Sequence, residues 1–336
     1  MGSVDIIVPC YRYGHFLREC VESVLSQSLR SIRILIVNDA SPDATAEVAR
    51  GLATADSRVH CINHSTNKGH IYTYNEGIEW ATADYILLLS ADDYLLPGAL
   101  ARVVGLMDRH TDVGFAFGNA IEMDARGCKK ATSCISCANN DRILSGADFM
   151  AASGGRNIVP TPTAVVRTAL HKKVGGYRSE LPHTGDLELW LRLAAHAPVG
   201  FVKSLQAVYR RHATNMSLSY AADHYLPDVE QRRAAVECFL KSCHHLVPDP
   251  TRLRRSLLRS VAIDAVGFAS AAFNDGELEL ADALSGFAHH TDPTVGWSWA
   301  WAKLACKRGI GSATWNALRP AAHRARRLIS LARASK

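Results

Sequence analysis

One ten-residue stretch decides the fold of this chain, and it reads Tyr85-Ile86-Leu87-Leu88-Leu89-Ser90-Ala91-Asp92-Asp93-Tyr94. Its five leading apolar residues follow a segment with helical spacing. They predict a strand that is buried on both faces, as at the centre of a parallel α/β sheet. The carboxylates of Asp92 and Asp93 come where that strand ends, at the edge where open α/β sheets bind ligands. Divalent cations prefer oxygen ligands and neutralise a nucleotide diphosphate. We therefore predict a metal–nucleotide site here; the alternative is two solvated aspartates that cap the following turn.

Length and composition are typical of a folded protein with one large domain and a smaller appendage. The chain has 336 residues, of which 48% are hydrophobic and 21% are charged. No apolar run reaches about 18 residues, and the first residues do not resemble a secretory signal, so we predict neither a transmembrane helix nor export. Nine cysteines without such a signal favour reduced thiols and a cytoplasmic location.

The positive charge of the chain is concentrated near its C-terminal end. The net charge is +6, and the residues after Asp292 include nine Lys and Arg but no acidic residue. Residues 1–292 therefore carry a net charge of −3. Because the basic character belongs to the tail and not to the body, a nucleic-acid partner is not expected.

Predicted strands and helices alternate through the first 117 residues. Besides the strand that begins at Tyr85, strands are predicted at 4–8, 32–37, 58–62 and 113–117. Helices are predicted at 16–27, at 69–81 and from Pro97 onward. A further helix is predicted with Ser41 as its N-cap and Pro42 as its first residue. This alternation is the pattern of a doubly wound α/β fold with a mostly parallel sheet.

The second half of the chain changes character. Residues 119–160 predict loops, a short hairpin and one helix near Ala147. A strand is predicted at 163–167, a helix at 184–195 and a last edge strand at 202–211. Further helices are predicted at 229–246, 252–273, 277–287 and 313–334. We therefore expect an α/β domain over residues 1–218 and a helical C-terminal region over residues 219–336.

Several stretches, taken together, resemble the family 2 glycosyltransferases, whose fold is called GT-A. They are Val4-Asp5-Ile6-Ile7-Val8-Pro9-Cys10-Tyr11, Val37-Asn38-Asp39-Ala40-Ser41-Pro42-Asp43, Asn67-Lys68-Gly69, Asn75-Glu76-Gly77, Leu89-Ser90-Ala91-Asp92-Asp93, Val174-Gly175-Gly176-Tyr177, Gly185-Asp186-Leu187-Glu188-Leu189-Trp190-Leu191-Arg192-Leu193 and Tyr209-Arg210-Arg211-His212. They occur in the family's order and spacing over residues 3–217. The resemblance implies transfer of a sugar, with inversion, from a nucleoside-diphosphate sugar to an acceptor hydroxyl, and the donor is usually a UDP-sugar.

The same resemblance assigns a set of nucleotide contacts. Tyr11 is expected to stack on the base, and Asp39 is expected to accept a hydrogen bond from it; both follow strands at the carboxyl edge of the sheet. The alternative makes Tyr11 a rim aromatic and Asp39 a carboxylate at a helix start. The other candidate contacts are Pro9, Asn67, Ser90 and Ala91.

The family's metal motif, an Asp-any-Asp triplet, reads Ser90-Ala91-Asp92 in this chain. Its last carboxylate, Asp92, is the expected direct ligand of Mn²⁺ or Mg²⁺, and Asp93 is the next candidate. His212 matches a histidine that completes the metal site in parts of the family, and an imidazole suits Mn²⁺ better than Mg²⁺. Because the first acid is missing, the alternative is a site that has lost its metal.

The resemblance also assigns the catalytic base. An inverting displacement needs a base that takes the acceptor proton, and the family supplies it from a Glu-Asp pair at a helix start. Here that pair reads Gly185-Asp186, so Asp186 is the candidate base. Glu188 and Arg192 lie four residues apart and are expected to pair on one helix face. The alternative makes Asp186 a first-turn carboxylate stabilised by the helix dipole.

The C-terminal tail combines tryptophans with basic residues. Trp297, Trp299, Trp301 and Trp315 stand among the Lys and Arg of residues 297–336. Tryptophan and cationic side chains on an amphipathic segment are typical of a peripheral membrane contact, which would suit a lipid-linked acceptor. The alternative is a helix that packs on the catalytic body with its charges solvated.

These observations predict an inverting, metal-dependent glycosyltransferase that acts on a glycan or lipid-linked acceptor. The synthesis of a cell-surface polysaccharide or glycolipid, at the inner face of the membrane, is the expected setting. Because Ser90 and Gly185 replace two family acids, a nucleotide-sugar-binding protein without turnover is one alternative. A scaffold subunit that docks a partner through the helical tail is the other.

Overall fold

The computed structural model describes residues 1–132, 140–215 and 225–317, and a ten-stranded sheet forms its centre. The strands are β1 (Val4–Cys10), β2 (Ile32–Asn38), β3 (Val59–Asn63), β4 (Tyr85–Leu88), β5 (Tyr94–Leu95), β6 (Phe115–Met123), β7 (Lys129–Thr132), β8 (Arg142–Leu144), β9 (Val165–Arg167) and β10 (Val199–Arg210). The main order is β3-β2-β1-β4-β9-β6-β10-β5, while β7 pairs with β6 and β8 with β10. Six of the eight strands in that order run in one direction; β9 and β5 run against them.

Helices cover both faces of the sheet, as in a doubly wound fold. They are α1 (Gly14–Leu25), α2 (Thr45–Ala55), α3 (His70–Trp80), α4 (Ala99–Arg109), α5 (Gly146–Ser153), α6 (Thr168–Val174) and α7 (Gly185–His196). Side chains of β1 alternate between the two layers, because Ile6 packs with α1, α2 and α4 whereas Ile7 packs with α3, α5 and α7. The predicted α/β fold is confirmed, and β4 lies beside β1 as the central strand expected from the quoted stretch.

Four helices follow the α/β layer: α8 (Leu226–Cys243), α9 (Pro250–Asp275), α10 (Leu278–Thr291) and α11 (Trp299–Ile310). Residues 312–317, the last that the structure describes, are also helical. Phe239 of α8 and Leu257 of α9 belong to the same core cluster as Trp190 of α7. Further along, α9, α10 and α11 share a separate cluster around Val261 and Leu284. The helical region therefore packs directly on the α/β layer, as an extension of its core. The predicted boundary near 218 lies outside the described residues.

Helix α9 is the one described helix that is long and apolar enough to span a membrane. Half of its apolar window is buried within the protein, where the helix packs on α8, α10 and α11. The core helix of a folded domain meets the same criteria of length and composition. The length and apolar character of α9 are therefore explained by its place in the helical core.

Two details of the predicted secondary structure are wrong. Helix α2 begins at Thr45 and not at Pro42, because the Ser41 hydroxyl accepts the Arg12 amide N–H and donates to Asp43, which closes the loops after β1 and β2. The strand predicted at 202–211 is not at an edge: β10 pairs with β6 on one side and with β5 and β8 on the other. Most of the helix predicted at 313–334 lies outside the described residues.

Candidate active site

A cavity of about 1440 Å³ opens at the carboxyl edge of the sheet. The ends of β1, β2 and β4 form one part of its wall, and residues of α3, α7, α8 and α9 form another. It is lined by most of the predicted site residues, namely Pro9, Tyr11, Asp39, Asn67, Ser90, Asp92, Asp93 and Asp186. The Ala91 side chain instead lies in the hydrophobic core with α1 and α4. Residues that are far apart in the sequence and were predicted to share a site thus line one cavity.

Asp39 is held as a fixed carboxylate at the end of β2. It accepts the backbone N–H groups of Lys68 at 2.7 Å and Gly69 at 2.9 Å, and it lies 2.7 Å from Nδ1 of His64. Burial acts to raise the pKa of Asp39, but the hydrogen bonds from His64, Lys68 and Gly69 outweigh it and lower that pKa. The carboxylate is therefore ionised and oriented, as recognition of a nucleotide N–H requires.

His64 was missed by sequence reasoning. Its ring is buried and bridges two carboxylates, because Nε2 lies 2.7 Å from Glu76 while Nδ1 contacts Asp39. His64 follows a predicted strand in a polar loop, so no periodic pattern distinguished it. Glu76 is the middle residue of the Asn75-Glu76-Gly77 motif, and the bridge explains how a residue of α3 acts on the position of Asp39.

The backbone turns beside the nucleotide side of the cavity are strained. Arg12 has φ 64° and Ala40 has φ 54°, both in the left-handed region that costs non-glycine residues about 1–3 kcal/mol. Each is the second residue after its strand, β1 or β2, and directly follows Tyr11 or Asp39. The Tyr11 ring is 39% exposed, and the Arg12 guanidinium lies 5.2 Å from its centroid. Tyr11 therefore lies at the cavity wall as an exposed aromatic side chain.

Asn67 and Ser90 make local contacts at the same wall. The Asn67 amide donates to the Asp39 carbonyl at 3.2 Å, and its Oδ1 accepts the Gly69 N–H at 3.1 Å. The Ser90 carbonyl accepts the Asp93 N–H at 3.0 Å and so begins the turn that carries both carboxylates. Asn67 thus shapes the loop around Asp39, and Ser90 shapes the turn at Asp92.

Asp92 and Asp93 are both buried, and they differ in their partners. Asp92 Oδ2 lies 3.0 Å from His212 Nε2 and accepts the Asn215 amide at 3.2 Å, whereas its Oδ1 has no hydrogen-bond partner among the described residues. Asp93 accepts the Arg210 backbone N–H at 2.9 Å. Burial, together with the negative charge of Asp92, raises the pKa of Asp93 well above its ordinary value. Asp92 is therefore the carboxylate that is open to a ligand.

His212 is positioned by contacts on every side. Its Nδ1 lies 2.9 Å from the Thr214 hydroxyl, and its ring packs on Tyr13 and Phe16 with centroid distances of 5.3 Å each. This packing aims Nε2 at Asp92. The structure thus brings His212 next to Asp92, although 120 residues separate them in the sequence.

The residues around Asp92 fit one divalent cation with few protein ligands. A buried oxygen without a partner calls for an explanation, and a carboxylate beside an imidazole is a donor pair suited to Mn²⁺. No group of three or more His, Cys, Asp or Glu that could hold a metal occurs in the described parts of the chain. Further ligands would have to come from phosphate oxygens and water.

Asp186 lies in the first turn of α7, at the cavity wall, and its side chain is partly buried. Its Oδ2 accepts the Thr161 hydroxyl at 2.8 Å, and it accepts a second hydrogen bond from the Tyr177 hydroxyl. Burial raises the pKa of Asp186, although these two bonds and the nearby His70 and His183 oppose the shift. A carboxylate with raised proton affinity inside a cavity has the properties of a general base.

Gly185 is the position where the family's glutamate is missing. A Cβ at this position would lie 3.1 Å from Cδ1 of Tyr177, so the glycine leaves room for that ring. Tyr74 packs edge-on against Tyr177 with a centroid distance of 5.2 Å. The missing glutamate therefore lies beside an aromatic cluster that contacts Asp186.

Two motifs of the family pattern have structural roles. Asn75 accepts the Tyr177 N–H at 2.7 Å and donates to the Tyr177 carbonyl at 2.9 Å, which fixes the loop before α7. The predicted pair of Glu188 and Arg192 is confirmed as a buried ion pair, and Arg192 also donates to the carbonyls of Gly175 and Gly176. Both motifs hold the segment that contacts Asp186.

Known glycosyltransferases are similar to this chain in sequence and in fold. Residues 5–154 match the model described as glycosyl transferase family 2. This segment of the chain is therefore similar to the family 2 glycosyltransferases. It is 39% identical over 100 residues to an uncharacterised glycosyltransferase, EpsJ, of Bacillus subtilis, in an alignment that covers 30% of this chain and 29% of that relative. The family 2 match thus rests on the N-terminal part of the chain, and the chain spans under a third of the length of that relative.

Solved structures are similar in fold to this chain over nearly its whole length. The crystal structure of S. aureus TarS 1–349 in complex with UDP-GlcNAc has a TM-score of 0.62 at 14% identity, and covers 88% of this chain and 92% of that one. The mannosyltransferase PcManGT from Pyrobaculum calidifontis, in complex with GDP-Man and Mn²⁺, has a TM-score of 0.52 at 17% identity, with coverages of 94% and 87%. The GT-A fold expected from the sequence is confirmed.

The raised pKa of Asp186 predicts a pH-dependent stability cost. Burial gives Asp186 a higher pKa in the folded than in the unfolded protein, where it is about 3.9. The free energy of unfolding therefore falls as the pH rises from the unfolded-state pKa to the folded-state pKa. We expect Asp186→Asn to gain stability over wild type across that window and to keep the advantage at pH 7–8. The thermal unfolding midpoint of both proteins, measured from pH 4 to 8, tests this.

Asp264→Asn is the control of opposite sign. Burial acts to raise the pKa of Asp264, but its ion pairs with Arg156 and Arg232 outweigh burial and lower that pKa. Its contribution is present above the unfolded pKa, so this variant should be less stable than wild type at every pH above about 4. Equal, pH-independent midpoints for wild type and Asp186→Asn would contradict the account of Asp186.

Proposed function

We propose that this protein transfers a sugar, with inversion, from a nucleoside-diphosphate sugar to an acceptor hydroxyl. The observation that carries the proposal is one cavity that holds both Asp92, with an unpartnered buried oxygen, and Asp186, with a raised pKa. The first residue suits the charged end of a donor, and the second suits proton removal from an acceptor. The match of residues 5–154 to the family 2 glycosyltransferase model supports the same reaction class.

The donor would lie along the ends of β1, β2 and β4. Tyr11 offers a ring face to the base, and the Asp39 carboxylate can accept one of its N–H groups. A UDP-sugar is the donor we favour, because the TarS structures were solved with UDP-GlcNAc and with UDP. The PcManGT structure instead contains GDP-Man, so the affinities for UDP and GDP have to be compared directly.

Asp92 and His212 are the residues that would hold a divalent cation. When bound, such a cation stabilises the negative charge on a departing diphosphate. The PcManGT structure contains Mn²⁺, and the imidazole of His212 favours Mn²⁺ over Mg²⁺. Arg210 keeps the pair in place, because its guanidinium donates to the Asp92 carbonyl at 3.0 Å.

Asp186 is the residue that would take the proton of the acceptor hydroxyl as the new C–O bond forms. Its carboxylate is held by Thr161 and Tyr177, so its orientation does not depend on the missing glutamate at Gly185. The alternative, nucleotide-sugar binding without turnover, is motivated by Ser90 and Gly185. Turnover separates the two functions.

The test is release of UDP from UDP-glucose, UDP-galactose and UDP-GlcNAc in the presence of Mn²⁺. We expect Asp186→Asn to lower the rate between about 100-fold and 10,000-fold, which is the usual contribution of a general base, with little change in UDP affinity. Asp148→Asn is the matched control, since Asp148 is a first-turn carboxylate of α5 outside the cavity. Undiminished turnover in Asp186→Asn would refute the assigned base. UDP binding without any turnover in wild type would favour the alternative.

We also propose a peripheral membrane contact at the start of α11, on the cytoplasmic side, which would give access to a lipid-linked acceptor for cell-surface polysaccharide or glycolipid synthesis. Trp297 is 92% exposed and Trp299 is 74% exposed, although Trp is among the most apolar side chains. Lys303 lies 5.4 Å from the Trp299 ring, so a cation accompanies the apolar surface. Exposed tryptophan beside lysine suits the headgroup region of an anionic membrane.

Vesicle binding tests this contact. We expect the Trp297→Ala, Trp299→Ala double variant to lose most of its co-sedimentation with vesicles that contain 30% anionic lipid, because it removes the exposed rings. Leu278→Ala, at another exposed apolar residue of the helical region, should bind as wild type does. Equal binding by the double variant and wild type would remove the basis for the contact.

A further inference from the structure

The cavity continues past Asp186 to a wall that α8 and α9 provide. Five side chains form a row of alternating charge there, which we call the charge ladder: Arg156, Asp264, Arg232, Asp228 and His183. Arg156 Nε and Arg232 Nη2 each donate to Asp264 at 2.6 Å. Arg232 Nη1 reaches Asp228 at 3.5 Å, and Asp228 lies 2.8 Å from His183 Nε2. All five line the same cavity as Asp92 and Asp186.

The ladder is joined rigidly to the segment that carries Asp186. His183 precedes Asp186 by three residues, and the Thr184 hydroxyl donates to the Gln231 carbonyl of α8 at 2.9 Å. Arg232 also donates to the Gly155 carbonyl at 2.8 Å, which ties α8 to the loop before Thr161. The C-terminal helices therefore hold this wall at a fixed position relative to the proposed base.

An aromatic surface borders the ladder. Phe268 of α9 lines the cavity, and its ring stacks on Tyr225 at a centroid distance of 4.5 Å and an interplanar angle of 11°. Apolar ring faces next to a few polar groups are typical of small-molecule sites, and the flat, apolar side of a sugar ring fits against such a surface.

We propose that the charge ladder and Phe268 form the acceptor subsite, and that the subsite takes an uncharged sugar. The inference rests on the proposed function, because the acceptor hydroxyl has to meet Asp186 and the donor occupies the other end of the cavity. This end is then the space left for the acceptor. A sugar would place its hydroxyls on the ladder and its ring on Phe268.

The charges of the ladder decide between a neutral and an anionic acceptor. Its two arginines and two aspartates cancel, and both guanidinium groups already pair with Asp264. Hydroxyls both donate and accept, so they match a row of alternating donors and acceptors. A phosphate or carboxylate would need an uncommitted cation at this end of the cavity. Two further arginines line the cavity, but Arg12 lies on the Tyr11 ring at the donor end and Arg211 pairs with Glu122; no lysine is among the described residues that line it.

Saturation-transfer NMR in the presence of UDP and Mn²⁺ tests the subsite. The probes are the methyl glycosides of glucose, galactose and N-acetylglucosamine, together with their 6-phosphates. We expect the neutral glycosides to give signals at least fivefold stronger than the phosphates. Arg156→Gln and Asp228→Asn should each reduce those signals at least fivefold, because each removes one charged group of the ladder.

Arg254→Gln is the matched control. Arg254 is an exposed arginine of α9 that pairs with Glu237 of α8, as Arg156 pairs with Asp264, but it lies outside the cavity. This variant should bind glycosides as wild type does. Two variants at different positions keep the test valid if one of them fails to fold.

The same spectra separate the two proposals, since UDP gives its own signals. UDP binding without glycoside binding, stronger signals from the phosphates, or unchanged signals in both ladder variants would overturn the subsite and leave the donor site intact. Glycoside binding that depends on the ladder, without UDP binding, would overturn the proposed function and leave the subsite. Absence of both would overturn both.

Discussion

The turn that carries Asp92 and Asp93 depends on Arg210, and the active-site geometry depends on that turn. The Arg210 backbone N–H binds the Asp93 carboxylate, its guanidinium binds the Asp92 carbonyl, and its side chain pairs with Glu19. The guanidinium also stacks between Phe16 and Tyr94, at 4.7 and 4.9 Å from their ring centroids. One buried cation thus links α1, the end of β4 and the end of β10. Without it, two adjacent buried carboxylates would repel each other at the edge of the sheet.

This arrangement leaves one oxygen of Asp92 buried without a hydrogen-bond partner among the described residues. A buried acceptor without a partner, as at Asp92 Oδ1, costs about 1–3 kcal/mol and calls for an explanation. Burial and the nearby charge of Asp92 raise the pKa of Asp93. His212 and Asn215 contact only Oδ2 of Asp92. Binding of a cation at the other oxygen would offset both the lost hydrogen bond and the repulsion. We therefore propose that a bound cation completes this site.

Sequence reasoning worked where local pattern and function coincide. The buried strand before Asp92 and the helix that begins at Gly185 are both evident from periodicity, and each one puts its carboxylate at the cavity. It was least able to predict features that only packing creates. Strand β5 has two residues, too few for a period, so β10 was taken for an edge strand. In the sequence, the charged residues of α8 and α9 have the pattern of a solvated helix face. Only the packing of these helices beside α7 places some of them in the cavity.

The central claim is that Asp92 and His212 bind a nucleoside diphosphate through a divalent cation. Isothermal titration of the protein with UDP, with and without Mn²⁺, tests it most directly, and Asp92→Asn serves as the comparison. The account predicts that Mn²⁺ tightens UDP binding at least tenfold in wild type and has little effect in Asp92→Asn. The same affinity with and without Mn²⁺, in both proteins, would contradict it.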